Sequence, residues 1–345
     1  MSDQKTTLPK GSLILITGFT GFVASHTAKQ FLERGYRVRG TVRNLAKSSE
    51  LVEQNFKEWA DRGELELVVV PDFTADHAFD EAIRGVDAVA HIAAAVDFDP
   101  NPNNVIPQTI SSMVALLELA IKESSVKQFV YTSSIVAAVL PVPGVDTHVG
   151  PDTWNETAVE LAWAPPPYEP TRGMIVYMAS KVAAEKAMWD FVKERKPRFA
   201  VNSVSPAAIL GEPLHRSQAE VKPAHVRALY QGDIEFQSGT RATISVNVKD
   251  VALLHVAAIL DPDTQNERLQ AWAQYCTWND ILSIMRKVVP DRKLIDDFPD
   301  MTTLTVTADF SQPLALLKKW GGQDGWISLE DTVTENVKVL VKMEF

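Results

Sequence analysis

The sequence has little cysteine and no metal-binding pattern. Cys276 is the single cysteine among 345 residues, which excludes an intrachain disulfide and favours a reducing compartment. A lone thiol is more often a small core residue than a nucleophile, and we interpret Cys276 in that way. The seven histidines form no H-x-H or H-E-x-x-H pattern, so we predict no metal site. His215 and His225 are interpreted as residues of a solvated loop.

Long apolar runs and an excess of positive charge are also missing. No stretch approaches the ~20 apolar residues of a transmembrane helix, and the opening "MSDQKTTLPKGS" lacks the apolar centre of a secretory signal. With 34 basic and 44 acidic residues the net charge is -10, which gives no general attraction to nucleic acid or to an anionic membrane. These absences predict a cytoplasmic protein, with the choice between a monomer and a homodimer left open.

What is present is an alternation of short apolar segments and helical patterns. Strands are predicted at 13–17, 37–42, 65–70, 86–94, 127–133 and 199–205. Helices are predicted at 22–34, after the second strand to about Trp59, and at roughly 104–123. This order is typical of an α/β fold with a Rossmann-type, doubly wound parallel sheet.

The alternation of predicted strands and helices is interrupted after Pro206. Residues 211–240 are polar and punctuated by proline and glycine, as in segments that cap a site at the carboxyl ends of strands. A strand followed by a helix returns at 242–260. The segment 277–289 begins like a helix whose N-cap is Thr277.

We therefore predict two parts. A dinucleotide-binding domain comprises residues 9–205 with about 241–262. A smaller C-terminal, substrate-binding lobe comprises residues 206–240 and 263–345. The cofactor and the substrate are expected to meet between them, at the carboxyl ends of the strands.

A glycine loop joins the first strand to the first helix. Gly18 permits a sharp turn, Gly21 lets the backbone approach a pyrophosphate, and Ala24 lets the helix pack close to the strand. The backbone amides at the N-terminus of that helix would face the anion. We interpret the loop as a dinucleotide site rather than as a plain turn.

The second strand is followed by no carboxylate, although folds that prefer NAD place one there for the ribose hydroxyls. Arg43 stands there instead, and an arginine can hold the 2′-phosphate of NADP with a charge-assisted fork. Lys47 is a second candidate, Arg39 is a weaker one, and a solvated arginine is the alternative interpretation. Asp72, after the third strand, is placed to accept a hydrogen bond from the adenine amine.

Two further patterns suit acid–base chemistry. "VYMASK" places Tyr177 and Lys181 on one helix face, four residues apart. "VYTSS" places Ser133 and Ser134 at the end of the fifth strand, which opens into the cofactor crevice of a doubly wound sheet. An ammonium near a phenol favours the phenolate, so we expect Lys181 to lower the pKa of Tyr177.

Together these motifs resemble the extended branch of the short-chain dehydrogenase/reductase superfamily, over nearly the whole chain. Four other segments are similar to that family: "HIAAA" (91–95), "SVSPAAILGEP" (203–213), "VNVKDVA" (246–252) and "GWISLEDTV" (325–333). "VRGTVRN", "DTWNET" and the serine pair resemble its dihydroflavonol 4-reductase group and the yeast and fungal carbonyl reductases. One departure is that the family's G-T-x-N corresponds to residues 111–114, which contain no asparagine. Water or Ser111 then replaces the asparagine in the proton relay.

The resemblance implies an NADPH-dependent carbonyl reductase. Tyr177 would protonate the carbonyl oxygen, Ser134 would hydrogen-bond it, and Lys181 would also reach the nicotinamide ribose. Ser134 is preferred over Ser133 because the family's catalytic serine is the second of this pair. Cofactor contacts are expected from Thr17, Gly18, Phe19, Thr20, Gly21, Phe22, Val23, Arg43, Lys47, Asp72, Phe73, Ala93, Ala94, Thr132, Tyr177, Lys181, Pro206, Ala207 and Ile209. A mostly apolar pocket for an aldehyde or ketone is expected from Phe98, Ile135, Val142 and Met174.

Three alternatives stay open. A sugar-nucleotide epimerase or dehydratase of the same fold would usually prefer NAD, and the missing acid after the second strand argues against it. A non-catalytic NADP-binding regulator would usually lack the Tyr177–Lys181 pair. An enzyme of secondary metabolism that reduces a polyketide or flavonoid-like ketone would differ only in its substrate.

Overall fold

The computed structural model describes residues 5–94, 98–221, 224–240 and 242–345; Ala95 of the 91–95 motif lies outside them. The strands in these ranges are β1 Leu13–Ile16, β2 Arg37–Val42, β3 Leu65–Val69, β4 Ala88–His91, β5 Gln128–Thr132, β6 Thr147–Val149, β7 Ala200–Pro206, β8 Ala208–Leu210, β9 Thr243–Asn247, β10 Arg268–Ala271, β11 Gln274–Cys276 and β12 Val306–Ala308.

The α-helices in the same ranges are α1 Phe22–Glu33, α2 Ser49–Asn55, α3 Lys57–Asp61, α4 Pro102–Lys122, α5 Ile135–Ala138, α6 Glu156–Ala162, α7 Gly173–Arg195, α8 Arg216–Glu220, α9 His225–Gln231, α10 Glu235–Ser238, α11 Val248–Leu260, α12 Trp278–Val288, α13 Ser311–Gly321 and α14 Leu329–Lys342. A short 3-10 helix, Pro170–Arg172, precedes α7.

A seven-stranded parallel sheet forms the centre of the molecule, in the order β10-β7-β5-β4-β1-β2-β3. The chain starts in the middle with β1, moves outward through β2 and β3, and crosses back to β4 on the other side of β1. Ile14 is therefore paired with both Val38 and Ala88. The reversal between β1 and β4 opens a crevice at the carboxyl ends of the strands, where doubly wound folds bind ligands. The predicted fold class is confirmed.

Helices cover both faces of the sheet, which explains why its strands are continuously apolar. In β1, Ile14 and Ile16 belong to a core shared with α1 and α11. Leu13 and Leu15 belong to the opposite core, shared with α4 and α7. Since side chains alternate along a strand, the run "LILI" supplies both cores at once.

Helix α4 is the one helix in the described ranges that is long and apolar enough to cross a membrane by length and composition. No such segment is expected from the sequence. Met113, Leu116, Leu117 and Ala120 on this helix are buried in the core shared with α7. The apolar side chains of α4 therefore have a packing role within the fold.

The region after Pro206 differs in part from the prediction. Strand β9 does not join the large sheet but lies in a second sheet of order β11-β9-β8, whereas α11 packs on the large sheet as expected. The seventh strand of the large sheet is β10, within the stretch 263–345 that the sequence analysis assigns to the lobe. Its four residues, "RLQA", show no apolar run that could indicate a buried strand.

The smaller lobe has a core of its own, in which α9, α12 and α14 pack around Trp278. Thr277 is the N-cap of α12, as the sequence predicts, and it forms a capping box with Asp280. Cys276 is buried beside this helix, and burial raises the pKa of its thiol to about 11, as suits a core residue. His225 is not a solvated loop residue, because it begins α9 and its ring stacks on Trp278 at 5.0 Å.

Candidate active site

The glycine loop has the backbone geometry that the motif requires. Gly18 has φ +70°, and a Cβ there would come within 3.2 Å of the Cβ of Ala93. Gly21 is the N-cap of α1, and no side chain caps this helix. The first backbone amides of α1, from Phe22 onward, therefore face the crevice without an intrahelical acceptor. This cradle fits the pyrophosphate of a dinucleotide.

Thr17, at the start of the glycine loop, fixes the loop through the hydrogen bonds of its side chain. Its Oγ1 accepts hydrogen bonds from the amides of Ile92 and Ala93, both at 2.9 Å, and lies 3.0 Å from Nδ1 of His91. The side chain thereby ties the end of β1 to the end of β4. Thr17 shapes the site but is fully buried, so its predicted cofactor contact would come from the backbone.

Phe19 also points inward. Its ring is fully buried 5.0 Å from that of Phe56, and its amide donates to the carbonyl of Thr41 at 2.9 Å. A Cβ on Gly40 would lie only 2.8 Å from the Phe19 ring, which explains a glycine inside strand β2. The sequence predicts one helix to about Trp59. In the structure this helix is interrupted at Phe56, whose ring is buried in the core, and the segment forms two helices, α2 and α3.

Gln218 crosses the glycine loop, and the sequence analysis does not identify it. Its Nε2 donates to the carbonyl of Thr20 at 3.1 Å and to Oγ of Ser25 at 2.9 Å. Its Oε1 accepts from the amide of Leu214 at 2.8 Å, and the residue is only 7% exposed. The segment predicted to cap the site is thus fastened to the loop, through a glutamine that no pattern in a polar stretch reveals.

Arg43 and Lys47 lie exposed where the chain leaves β2. Within the described ranges, no hydrogen bond or ion pair engages the guanidinium of Arg43. Arg39, the weaker candidate, is directed elsewhere: it pairs with Glu66 at 2.6 Å and donates to the carbonyl of Ala82 at 3.0 Å. The arrangement leaves Arg43 free to bind an anion.

After β3 the chain presents Asp72 and Phe73. The Oδ1 atom of Asp72 accepts from the amide and the hydroxyl of Thr74 at 2.8 and 2.6 Å, and these bonds hold the pKa of its carboxyl below the usual range. Phe73 contacts the ring of His91 edge-on, with centroids 6.5 Å apart. Ala94 lies exposed beyond β4. The predicted contacts thus follow β3 and β4, which are separated in the sheet by β1 and β2.

Ser134, Tyr177 and Lys181 meet at the end of β5. Ser134 is the N-cap of α5, where its Oγ accepts from the amide of Val136 at 3.4 Å, and its side chain lies near enough to the phenol of Tyr177 to influence the pKa of that phenol. Lys181, 5% exposed, donates from Nζ to the carbonyl of Thr132 at 3.0 Å. Ser133 is turned away from this group, since its hydroxyl donates to buried Glu185 at 2.6 Å.

The pKa values correct one expectation. Burial raises the pKa of the Tyr177 phenol to about 12, opposed by the nearby side chain of Ser134. Burial lowers the pKa of Lys181 to about 8, opposed by the negative charge of Glu185. The expectation that Lys181 lowers the pKa of Tyr177 is therefore wrong for this arrangement, in which the ammonium is bound to the Thr132 carbonyl.

The neighbouring strand ends supply the other predicted contacts. The hydroxyl of Thr132 lies 2.7 Å from Nε2 of His255. Pro206 ends β7 and is buried, and the amide of Ala207 donates to the carbonyl of Ala271 at 3.1 Å. Ile209 lies half-buried on β8. Thr132 thus ends β5, Pro206 ends the neighbouring strand β7, and Ile209 lies on β8 in the second sheet. Their contact with the cofactor stays a prediction.

A cavity of about 20 Å³ lies beside Lys181 and is lined in part by Thr109, Ser112 and Ser180. This volume has room for one water molecule with several polar partners. Ser111, the other predicted substitute in the relay, is exposed and donates to the carbonyl of Gln108 at 3.1 Å. The geometry favours water over Ser111.

The predicted pocket residues differ in their placement. Phe98 packs edge-on against Tyr177 with ring centroids 5.5 Å apart. Ile135 follows Ser134, and Met174 lies three residues before Tyr177 on α7. Val142 is 47% exposed on the loop between α5 and β6. Their contact with a substrate stays a prediction.

The chain was compared with known proteins. A family model described as "NAD dependent epimerase/dehydratase family" matches residues 14–270. The chain is 39% identical to the NAD-dependent epimerase/dehydratase terH of Aspergillus terreus over 334 residues, 96% of this chain and 98% of that protein. It is 35% identical to Aldehyde reductase 2 of Sporidiobolus salmonicolor over 338 residues, 96% of each chain.

The fold is similar to that of yeast methylglyoxal/isovaleraldehyde reductase Gre2, whose crystal structure is a complex with NADPH. The TM-score is 0.78 at 22% identity, covering 96% of this chain and 99% of that chain.

Proposed function

The chain belongs to the NAD-dependent epimerase/dehydratase family, and we propose that it is an NADPH-dependent carbonyl reductase that reduces aldehydes or ketones to alcohols. The observation that carries this is the meeting of Ser134, Tyr177 and Lys181 beside a glycine loop suited to a pyrophosphate. The aldehyde reductase among its relatives supports the same reaction class.

The choice of NADPH rests on Arg43. Its guanidinium is exposed and uncommitted among the described residues, and no carboxylate stands at the end of β2 to repel a 2′-phosphate. An epimerase that retains NAD would favour a carboxylate at this position. The Gre2 neighbour was crystallised with NADPH.

The bound dinucleotide supplies the hydride. Tyr177 supplies the proton, because a phenol with a pKa near 12 is fully protonated at neutral pH. Ser134 donates a hydrogen bond to the same carbonyl oxygen and stabilises its developing charge. Lys181 and the cavity beside it offer a route for the phenolate to regain a proton. We expect small-molecule substrates and a cytoplasmic protein.

Tyr177→Phe tests the proposal. We expect kcat for NADPH oxidation, measured against a panel of aldehydes and ketones, to fall by about 100- to 10,000-fold because the proton donor is lost. The dissociation constant of NADPH, from fluorescence titration, should change little. Tyr168→Phe, on the proline-rich segment before α7, serves as the matched control and should keep full activity.

Two outcomes would contradict the proposal. One is a Tyr177→Phe enzyme with unchanged turnover. The other is a wild-type enzyme that turns over no carbonyl in the panel. Tightly bound NAD released on denaturing the purified protein would favour the epimerase alternative instead.

A further inference from the structure

A buried ion pair lies one helical turn beyond Lys181. Glu185 follows Lys181 by four residues on α7, so the two side chains share a face of the helix. The carboxylate of Glu185 is fully buried and faces Arg268 on β10. Its Oε1 lies 3.0 Å from Nε and its Oε2 lies 3.2 Å from Nη2, the two-point arrangement of a strong arginine–carboxylate pair.

The same carboxylate accepts two further hydrogen bonds, one from the serine that follows β5 and one from a serine in the middle of β7. Oγ of Ser133 donates to Oε2 at 2.6 Å, and Oγ of Ser203 donates to Oε1 at 2.8 Å. Ser133 immediately precedes Ser134. The position of the Ser134 backbone therefore depends on a side chain that reaches across from α7.

Arg268 also contacts the segment that precedes α6. Its Nη1 donates to the carbonyl of Thr153 at 2.8 Å, and its guanidinium lies 4.1 Å from the ring centroid of Trp154. The next residue, Asn155, donates from Nδ2 to the carbonyl of Val136 at 2.9 Å, within the short helix that Ser134 caps. The "DTWNET" segment thus connects the ion pair to α5.

We propose that Glu185 and Arg268 are positioning residues of the active site, which together fix Ser134 through Ser133, and that the Glu185 carboxylate supplies the negative charge one helical turn from Lys181. The proposal rests on the proposed function for the roles of Ser134 and Lys181. Neither member of the pair is assigned a contact with substrate or cofactor.

Among the residues that the structure describes, the other groups facing Lys181 carry no charge. They are His91 on β4, Tyr131 on β5 and Tyr177 on α7, while α4 presents Thr109, Ser112 and Met113. Burial lowers the pKa of His91 to about 3 and raises that of Tyr131. Glu185 is the acidic group that opposes the effect of burial on Lys181.

The test is a pair of variants with opposite expected effects. The ¹³Cε resonance of Lys181, in lysine-labelled full-length protein, is assigned by its loss in Lys181→Arg and followed against pH. Glu185→Gln should lower the midpoint by about one pH unit or more, because the opposite charge is lost and Arg268 stays unpaired. Arg268→Gln should raise the midpoint, because it leaves the carboxylate unpaired. The alkaline limb of kcat/KM should move in the same directions.

Breaking a buried pair can prevent folding, so the double variant Glu185→Gln/Arg268→Gln is included. Its Lys181 midpoint should lie between those of the wild type and Glu185→Gln. Glu118→Gln is the matched control. It breaks a surface pair between Glu118 on α4 and Arg195 on α7, the helix that carries Lys181 and Glu185, and it should leave the midpoint unchanged.

A common direction of shift in the two single variants would overturn the proposal. So would wild-type midpoints in the variants that fold, the double variant included, since the pair would then be structural only. The titration needs no turnover. An enzyme inactive on every carbonyl would therefore refute the proposed function and leave this result readable.

Discussion

At the inner end of the crevice, Ser134, Tyr177 and Lys181 are held by partners inside the protein. At the outer end, Arg43 and Lys47 stand exposed where the chain leaves β2, and the Arg43 guanidinium is uncommitted among the described residues. The inner groups stand on a strand end and a long helix, and the outer groups stand on loops. The inner end is therefore arranged before a ligand arrives, whereas no comparable side-chain contact fixes the guanidinium of Arg43 among the described residues.

This difference predicts that the inner end controls the rate of the reaction and that the outer end controls the affinity for the cofactor. A hydrogen bond aimed at developing charge in a buried site changes the barrier of the reaction. A charged contact at an exposed site contributes to affinity and is weakened by salt. Substitutions at the inner end should lower kcat, and substitutions at the outer end should raise the dissociation constant of the cofactor.

After Tyr177→Phe, the largest effect is expected from another substitution at the inner end, Ser134→Ala. Loss of the donor to the carbonyl oxygen should lower kcat by about 100- to 1000-fold, with the affinity for NADPH nearly unchanged. Steady-state kinetics and fluorescence titration measure the two quantities. Ser111→Ala is the matched control, because that hydroxyl is exposed on α4 and bonded to its own helix. A large loss of NADPH affinity in Ser134→Ala would contradict the separation of the two ends.

A smaller effect is expected at the outer end, from Arg43→Ala. The dissociation constant of NADPH should rise by about 10- to 100-fold, the range for hydrogen bonds to a charged group. That of NADH should not change, and kcat at saturating NADPH should be retained. Arg37→Ala, at the opposite end of β2, is the control. Equal losses of NADPH and NADH affinity would show that Arg43 does not bind the 2′-phosphate.

The two ends also differ in how far the sequence predicts them. Tyr177 and Lys181 share a helix face by their spacing alone, and Ser134 follows a recognisable apolar strand. Glu185 and Gln218 carry no such signal, because their partners are distant in sequence: Gln218 and Thr20 are 198 residues apart. Contacts of that kind follow from the folded topology and not from any local pattern.

For the fold, strands buried on both faces could be predicted from their apolar runs, as in β1 and β5. Strand β10 could not, since its "RLQA" places Arg268 and Gln270 within the sheet. The buried partner Glu185 is what makes an arginine tolerable there. Strand β10 and Glu185 therefore escape prediction for the same reason: both depend on the buried Arg268–Glu185 pair, whose members are distant in sequence.

Gln218→Ala should give the smallest effect. It tests whether the segment 211–240, which contains Gln218, acts with the inner or with the outer end of the crevice. The side chain donates one hydrogen bond to Thr20 in the glycine loop and one to Ser25 on α1, each worth about 1 kcal/mol. Their loss should raise the dissociation constants of NADPH and NADH alike, by about 3- to 30-fold, since the loop serves the pyrophosphate that both share. Glu220→Ala, exposed on the same helix α8, is the matched control. An NADPH-specific loss would place Gln218 with Arg43, and a fall in kcat alone would place it with Ser134; either result would contradict a role in shaping the loop.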